Sequence, residues 1–105
     1  MTNLIIGLKI DSYKSFYECA RIVRQYQVYS FVELKERIEK KEYVLCYSYT
    51  DDVGVKNVIN CYDDLVRANA NVSLYELDDR PTTIELVHNL NRMYDEISDE
   101  IDAES

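Results

Sequence analysis

Three Ser/Thr-x-x-Glu tetrads punctuate this chain: Ser15-Phe16-Tyr17-Glu18, Ser30-Phe31-Val32-Glu33 and Thr82-Thr83-Ile84-Glu85. In such a capping box, hydroxyl and carboxylate each satisfy an otherwise unpaired amide at the start of a helix. Three marked helix starts leave the apolar stretches between them to form strands. Only two glycines and one proline are present, so the connections are short and the elements regular.

Leu4 to Ile10 is a short apolar run with a polar interruption on one parity, which predicts a first strand. The first capped helix extends to about Tyr26. The second places Phe31, Leu34 and Ile38 on one face and ends near Lys40-Lys41, where cations suit a helix C-terminus. Tyr43 to Tyr49 alternates as a strand, with Tyr43, Leu45, Tyr47 and Tyr49 on one face and Val44, Cys46 and Ser48 on the other. Asp51-Asp52 opens a third helix with an apolar stripe of Val55, Val58, Ile59, Tyr62 and Leu65, stopped at Asn69-Ala70-Asn71. Val72 to Leu77 is a third strand, and Pro81 stands near the start of the last helix. That helix carries Val87, Leu90, Tyr94, Ile97 and Ile101 at spacings of three and four.

These elements predict an α+β fold: a βααβαβ two-layer domain over residues 1–80, with a small three-stranded sheet packed by helices. Residues 81–105 form an extra amphipathic acidic helix, packed on or extending that domain. A stripe of this length can dock on the domain or pair with its copy in a homodimer.

The size allows one self-sufficient domain without metals or disulfides. No window is apolar enough to span a bilayer, and the N-terminus lacks a signal-peptide profile, so the expectation is a soluble cytoplasmic protein. Cys19, Cys46 and Cys61 are odd in number and widely spaced, which predicts reduced, buried thiols.

Catalytic signatures are missing. His88 is the sole histidine and has no identifiable nucleophile beside it, so the ordinary helix residue is the better reading. Glu85-x-x-His88 has di-iron spacing, but that site needs a second such pair and two more carboxylates. Gly7 and Gly54 stand alone, with no phosphate loop, and no Asp-x-Asp-x-Asp-Gly calcium loop occurs. The expectation is a non-enzymatic protein with no cofactor and no metal. Ten tyrosines serve packing for the most part, with Tyr47 and Tyr62 in core registers and Tyr26 and Tyr29 as the surface candidates.

The order strand, helix, helix, strand, helix, strand over residues 3–78 resembles the C-terminal domain of the bacterial ribosomal stalk protein. Val23-Arg24 followed by Val32-Glu33-Leu34-Lys35-Glu36-Arg37-Ile38-Glu39 is similar to that family's Val-Arg, turn and basic helix at equal spacing. The resemblance implies recruitment of a partner through basic residues on the first two helices, at Arg21, Arg24 and Lys35. Gln27-Val28-Tyr29-Ser30 replaces the family's glycine-rich turn, and Phe16 occupies one basic position. The same element order resembles the small adaptor of Clp proteases, whose ligand-binding histidine has no counterpart here.

Charge divides the chain in two. Residues 1–50 carry eight Lys/Arg against six Asp/Glu, and residues 51–105 four against fourteen, which together give the net −8. Direct binding to nucleic acid or an anionic membrane is thereby disfavoured, and a basic protein is the natural partner. The acidic candidates are the pairs Asp51-Asp52, Asp63-Asp64, Asp78-Asp79, Asp95-Glu96 and Asp99-Glu100. Six acids between Asp95 and Glu104 would present one charge per ~2.5 Å of helix at ~1.5 Å rise per residue. Duplex DNA presents one per ~1.7 Å. The leading expectation is therefore an acidic inhibitor or modulator, DNA-mimic-like and of the kind phages aim at their hosts, that occupies a basic and possibly nucleic-acid-binding surface. The alternative is a recruitment module using Arg21, Arg24 and Lys35.

Overall fold

Strand β1 (Ile5–Ser12) turns Ile6, Leu8 and Ile10 to one side, where each is fully buried. Gly7 and Lys9 point the other way, as strand alternation requires. Around this strand the computed structural model describes the backbone of residues 4–104 and the side chains of residues 4–95. The expectations placed on the side chains of Glu96, Ile97, Asp99, Glu100 and Ile101 lie outside the described residues.

The order is β1, α1 (Phe16–Val23), α2 (Phe31–Glu39), β2 (Leu45–Ser48), α3 (Asp52–Arg67), β3 (Asn71–Glu76), β4 (Arg80–Thr82) and α4 (Ile84–Glu104). The class is α+β, with a four-stranded antiparallel sheet in the order β2-β1-β3-β4. The expected three strands become four because Arg80–Thr82 folds back on β3, pairing Arg80 with Glu76, Pro81 with Tyr75 and Thr82 with Leu74. Pro81 is tolerated there because β4 is an outer strand and needs no outward amide. The last helix consequently starts later than Pro81 suggested, with the Thr83 hydroxyl accepting from the Leu86 amide at 3.3 Å.

The other two capping hydroxyls act where the sequence places them. Ser15 Oγ accepts from the Glu18 amide at 3.3 Å, and Ser30 Oγ from the Glu33 amide at 3.1 Å, each worth ~1 kcal/mol. α1 ends at Val23, sooner than the Tyr26 boundary. Both α2 and α3 close by the same device without glycine. The Glu42 amide bonds to the Arg37 carbonyl and that of Lys41 to Ile38, while the Ala70 amide bonds to the Leu65 carbonyl and that of Asn69 to Val66. Lys41 and Asn69 supply the left-handed residue at φ 58° and 62°.

One continuous core joins Ile6, Leu8 and Ile10 to α1, α2, α3 and α4 through Ile22, Val23, Leu34, Ile38, Val55, Val58, Leu65, Val87 and Leu90. In β2 the alternation breaks at its start: Val44 and Leu45 are both buried, and the Val44 amide bonds to the Leu8 carbonyl. Tyr43 is thereby moved off the face of Leu45 and laid over Gly7, where an added Cβ would come within 2.6 Å of its ring. A second close approach sets the helix layer. Gly54 in α3 faces Tyr47 of β2, and a Cβ there would sit 2.6 Å from the Tyr47 Cβ.

The Gly54→Ala variant should lose stability even though alanine is favoured over glycine by ~1 kcal/mol inside a helix, because overpacking costs ~1–3 kcal/mol. A urea midpoint equal to or above that of the parent would show that α3 does not lie this close to β2.

Candidate functional site

Among the described residues, the acidic candidates do not gather on one surface. Asp51 is the N-cap of α3, its Oδ1 accepting from the Gly54 amide at 2.9 Å, and Asp52 occupies the first turn. α4 comes to the same end of α3: Asp95 pairs with Lys56 at 3.4 Å, and the Tyr94 hydroxyl donates to the Tyr49 carbonyl at 2.6 Å. Burial pushes the Tyr94 phenol up, and the nearby carboxylates of Asp52 and Asp51 push in the same direction. Asp51, Asp52 and Asp95 thus lie at the same end of α3, with Asp95 paired to Lys56.

Asp63 and Asp64 lie twelve residues along α3 from that end, ~18 Å at ~1.5 Å per residue. Asp63 faces α4 in a hollow shared with Lys56, Asn60, His88 and Asn91. Asp64 turns toward α1, pairs with Arg67 at 3.7 Å and shares a cleft with Glu18 and Arg21. Asp78 and Asp79 form the β3–β4 turn with Leu77, all three in the left-handed region at φ 57°, 61° and 38°. The carboxylate of Asp79 accepts a hydrogen bond from the Tyr43 hydroxyl. Local tasks, capping and turning the chain, therefore account for much of the pairing seen in the sequence.

The basic candidates sit closer together. Arg21 and Arg24 on α1 line one hollow of about 220 Å³ with Tyr17, Gln25 and Phe31. Arg21 pairs with Glu18 at 2.9 Å, and the Arg24 guanidinium lies over the Phe31 ring at 4.8 Å. Lys35, exposed one turn beyond Phe31 on α2, extends the cationic rim. Next to these charges the chain leaves large apolar side chains open: Tyr17 is 65% exposed, Phe31 44%, Val32 72% and Val28, in the connection between the helices, 95%. Rings of Tyr13, Phe16 and Phe31 follow one another at centroid distances of 5.9 and 6.2 Å.

Sequence reasoning missed most of this patch because it looked for tyrosines in the turn. Tyr26 and Tyr29 are partly buried against the core, while Tyr13 and Tyr17 are the exposed ones. The signal was available in α1: at ~3.6 residues per turn, Phe16 lies along the buried stripe of Cys19, Ala20, Ile22 and Val23, whereas Tyr17 falls on the far side of the helix.

Across the molecule, on the sheet face opposite the core, a second constellation is built. Lys9 Nζ lies 4.8 Å from the Tyr43 ring centroid and 4.6 Å from that of Tyr75, whose rings meet edge to face. Arg37 rests on Tyr29 at 4.9 Å and donates to the Tyr43 carbonyl at 3.2 Å. No sequence motif marks this constellation, since its members come from β1, the α1–α2 connection, α2, the α2–β2 connection and β3.

Glu85 and His88 are both exposed on α4, and among the described residues no group of three or more His, Cys, Asp or Glu side chains is placed to hold a metal ion. Among them, too, no helix is long and apolar enough to cross a membrane. Compared with known proteins, the chain matches no family model, no curated protein and no solved structure.

The thiols differ from the expectation of three buried groups. Cys19 and Cys61 are buried, but Cys46 is exposed on β2 because its position opposite Gly7 turns it to the uncovered face. In the native protein one thiol per chain should react rapidly with an aromatic disulfide reagent, and all three in denaturant. A Cys46→Ser variant that still titrates one fast thiol would contradict this placement. Burial, helped by Asp64 and Cys19, pushes the Cys61 thiol from 9.0 up to about 12. The folded state holds it neutral, so its contribution is complete below pH 9 and is lost as pH rises from 9 toward 12. Urea titrations across that window should show a shallower loss of stability in Cys61→Ala than in the parent protein.

Proposed function

We infer that this chain is a non-enzymatic interaction module whose protein partner docks on the α1–α2 face. The observation that carries this reading is the exposure of Tyr17 and Phe31 beside Arg21 and Arg24, with Val28 and Val32 also exposed on the adjoining connection and α2. Aromatic residues and arginine are the types enriched where protein contacts concentrate their energy. Stacking on Phe31 presets the Arg24 guanidinium, so less side-chain freedom is lost when it meets a carboxylate. The partner surface is acidic at its rim and apolar at its centre. This is the recruitment role implied for Arg21, Arg24 and Lys35, with Tyr17 and Phe31 added as anchors.

A second reading rests on a different observation, the placing of Asp51, Asp52 and Asp95 near Tyr94 at one end of α3. There the chain would occupy a basic surface of its partner as an acidic, DNA-mimic-like inhibitor. The described part of the α4 stripe is spent inside the domain, since Val87 and Leu90 are buried in the core. A homodimer through α4 would therefore have to be built from other residues of that helix.

The two readings separate in one experiment, affinity capture from the source cells followed by titration with the captured partner. Phe31→Ala combined with Arg24→Glu should weaken binding by at least ~30-fold, the scale of a ~2 kcal/mol anchor. Neutralising Asp52, Asp95, Glu96, Asp99 and Glu100 together should leave it within about threefold, because exposed charges outside a contact contribute little. The reverse pattern would transfer the docking site to the acidic end. Asp51 is left unchanged in these variants because it caps α3.

A further inference from the structure

The groove beside the uncovered sheet face gathers three cations in one hollow. Lys9, Tyr29, Arg37, Lys41, Tyr43 and Asp79 line a space of about 550 Å³, inside the ~300–1,000 Å³ range of small-molecule sites. In a chain with twenty Asp/Glu against twelve Lys/Arg, a cation has many carboxylates to choose from. Arg21, Lys56 and Arg67 each find one. Among the described residues, the three cations of the groove are in no direct ion pair. Lys9 is held between the Tyr43 and Tyr75 rings, Arg37 by the Tyr29 ring and the Tyr43 carbonyl, and Lys41 by the Asp11 backbone carbonyl at 2.8 Å. Neutral groups therefore fix these side chains, and the groove sets three cations against two carboxylates, Asp79, which accepts from the Tyr43 hydroxyl, and Glu42, which stands exposed.

We propose that this groove binds a phosphorylated organic molecule, whose phosphoryl oxygens meet Arg37, Lys41 and Lys9 and whose organic part lies against Tyr29 and Tyr43. A guanidinium fork and two ammonium groups are the donors phosphate recognition uses, and charge-assisted bonds of this kind are the strong ones. The chain's overall negative charge does not oppose this as it opposes a nucleic acid, because a small ligand meets the local field of the groove and few of the distant carboxylates, which salt screens. The site uses none of the side chains assigned to the neighbouring α1–α2 docking face, although Tyr29 follows Val28 in the chain, and its titration tests it independently of that reading.

The test is calorimetric or NMR titration of the whole chain, at constant ionic strength, with AMP, inorganic phosphate, adenosine and succinate. Saturable one-to-one binding of AMP, tighter than that of inorganic phosphate and absent for adenosine and succinate, is the expected result. Arg37→Gln and Lys41→Gln should each weaken AMP by about tenfold or more. Lys41→Gln keeps the Arg37 bond to Tyr43, so the test survives even if Arg37→Gln misfolds, and circular dichroism of both variants identifies that case. No saturable binding of AMP, equal affinity for adenosine, succinate or inorganic phosphate, or AMP binding indifferent to the Lys41→Gln change would each overturn the proposal.

Discussion

The two-sidedness of β1 is the constraint from which the rest of the molecule follows. Its buried side, Ile6, Leu8 and Ile10, is complete without polar atoms, and all four helices contribute to the core beneath it. Its other side carries Ile5, Gly7 and Lys9 before Asp11. Hydrophobic burial on one side at ~25 cal/mol per Å² commits the helices there. The second face is then furnished by neighbouring segments, with Tyr43 lying over Gly7 and Tyr75 rising from β3. A side chain at Gly7 would have kept Tyr43 away, and Lys9 would have lost one of its two rings.

Helix placement depends on a similar close approach on the opposite side of the sheet. Gly54 lets the first turn of α3 come down onto Tyr47, and Asp51 caps that turn from the strand side. The Tyr94 hydroxyl then ties α4 to the Tyr49 carbonyl, just before the same cap. Strand β2, the start of α3 and the middle of α4 are joined within a few residues. This junction explains why Asp51, Asp52 and Asp95 share one end, while Asp63, Asp64, Asp78 and Asp79 are dispersed along α3 and at the hairpin.

Much of the helical layout was legible because caps are local. A hydroxyl three residues ahead of the amide it accepts from needs no tertiary information, and Ser15 and Ser30 act in the predicted places. The α2 and α3 ends were legible for a related reason, since Lys40-Lys41 and Asn69 mark the end without glycine. What failed was non-local. β4 exists because Arg80–Thr82 finds a partner in β3, and three residues around a proline carry no strand period of their own. The Tyr43 register was misread because the consecutive burial of Val44 and Leu45 appears only once the sheet is paired. For the candidate site, charge pairs in the sequence pointed to a surface, whereas several of those carboxylates work as a cap, a turn and a hydroxyl acceptor. The exposed apolar patch on α1 and α2 was hidden by the opposite difficulty, because exposure of an aromatic cannot be read until the buried stripe is known.

The sheet also ends in two very short strands, four residues in β2 and three in β4, and the second contains Pro81. Outer strands are where one chain can add itself to another and begin a ribbon of copies. A proline without an amide hydrogen, and edges only a few residues long, offer too few successive donors for that addition to propagate. An uncovered face and a propagating edge are therefore separate features of this small sheet, since the short margins limit strand addition while the broad face stays free of helices.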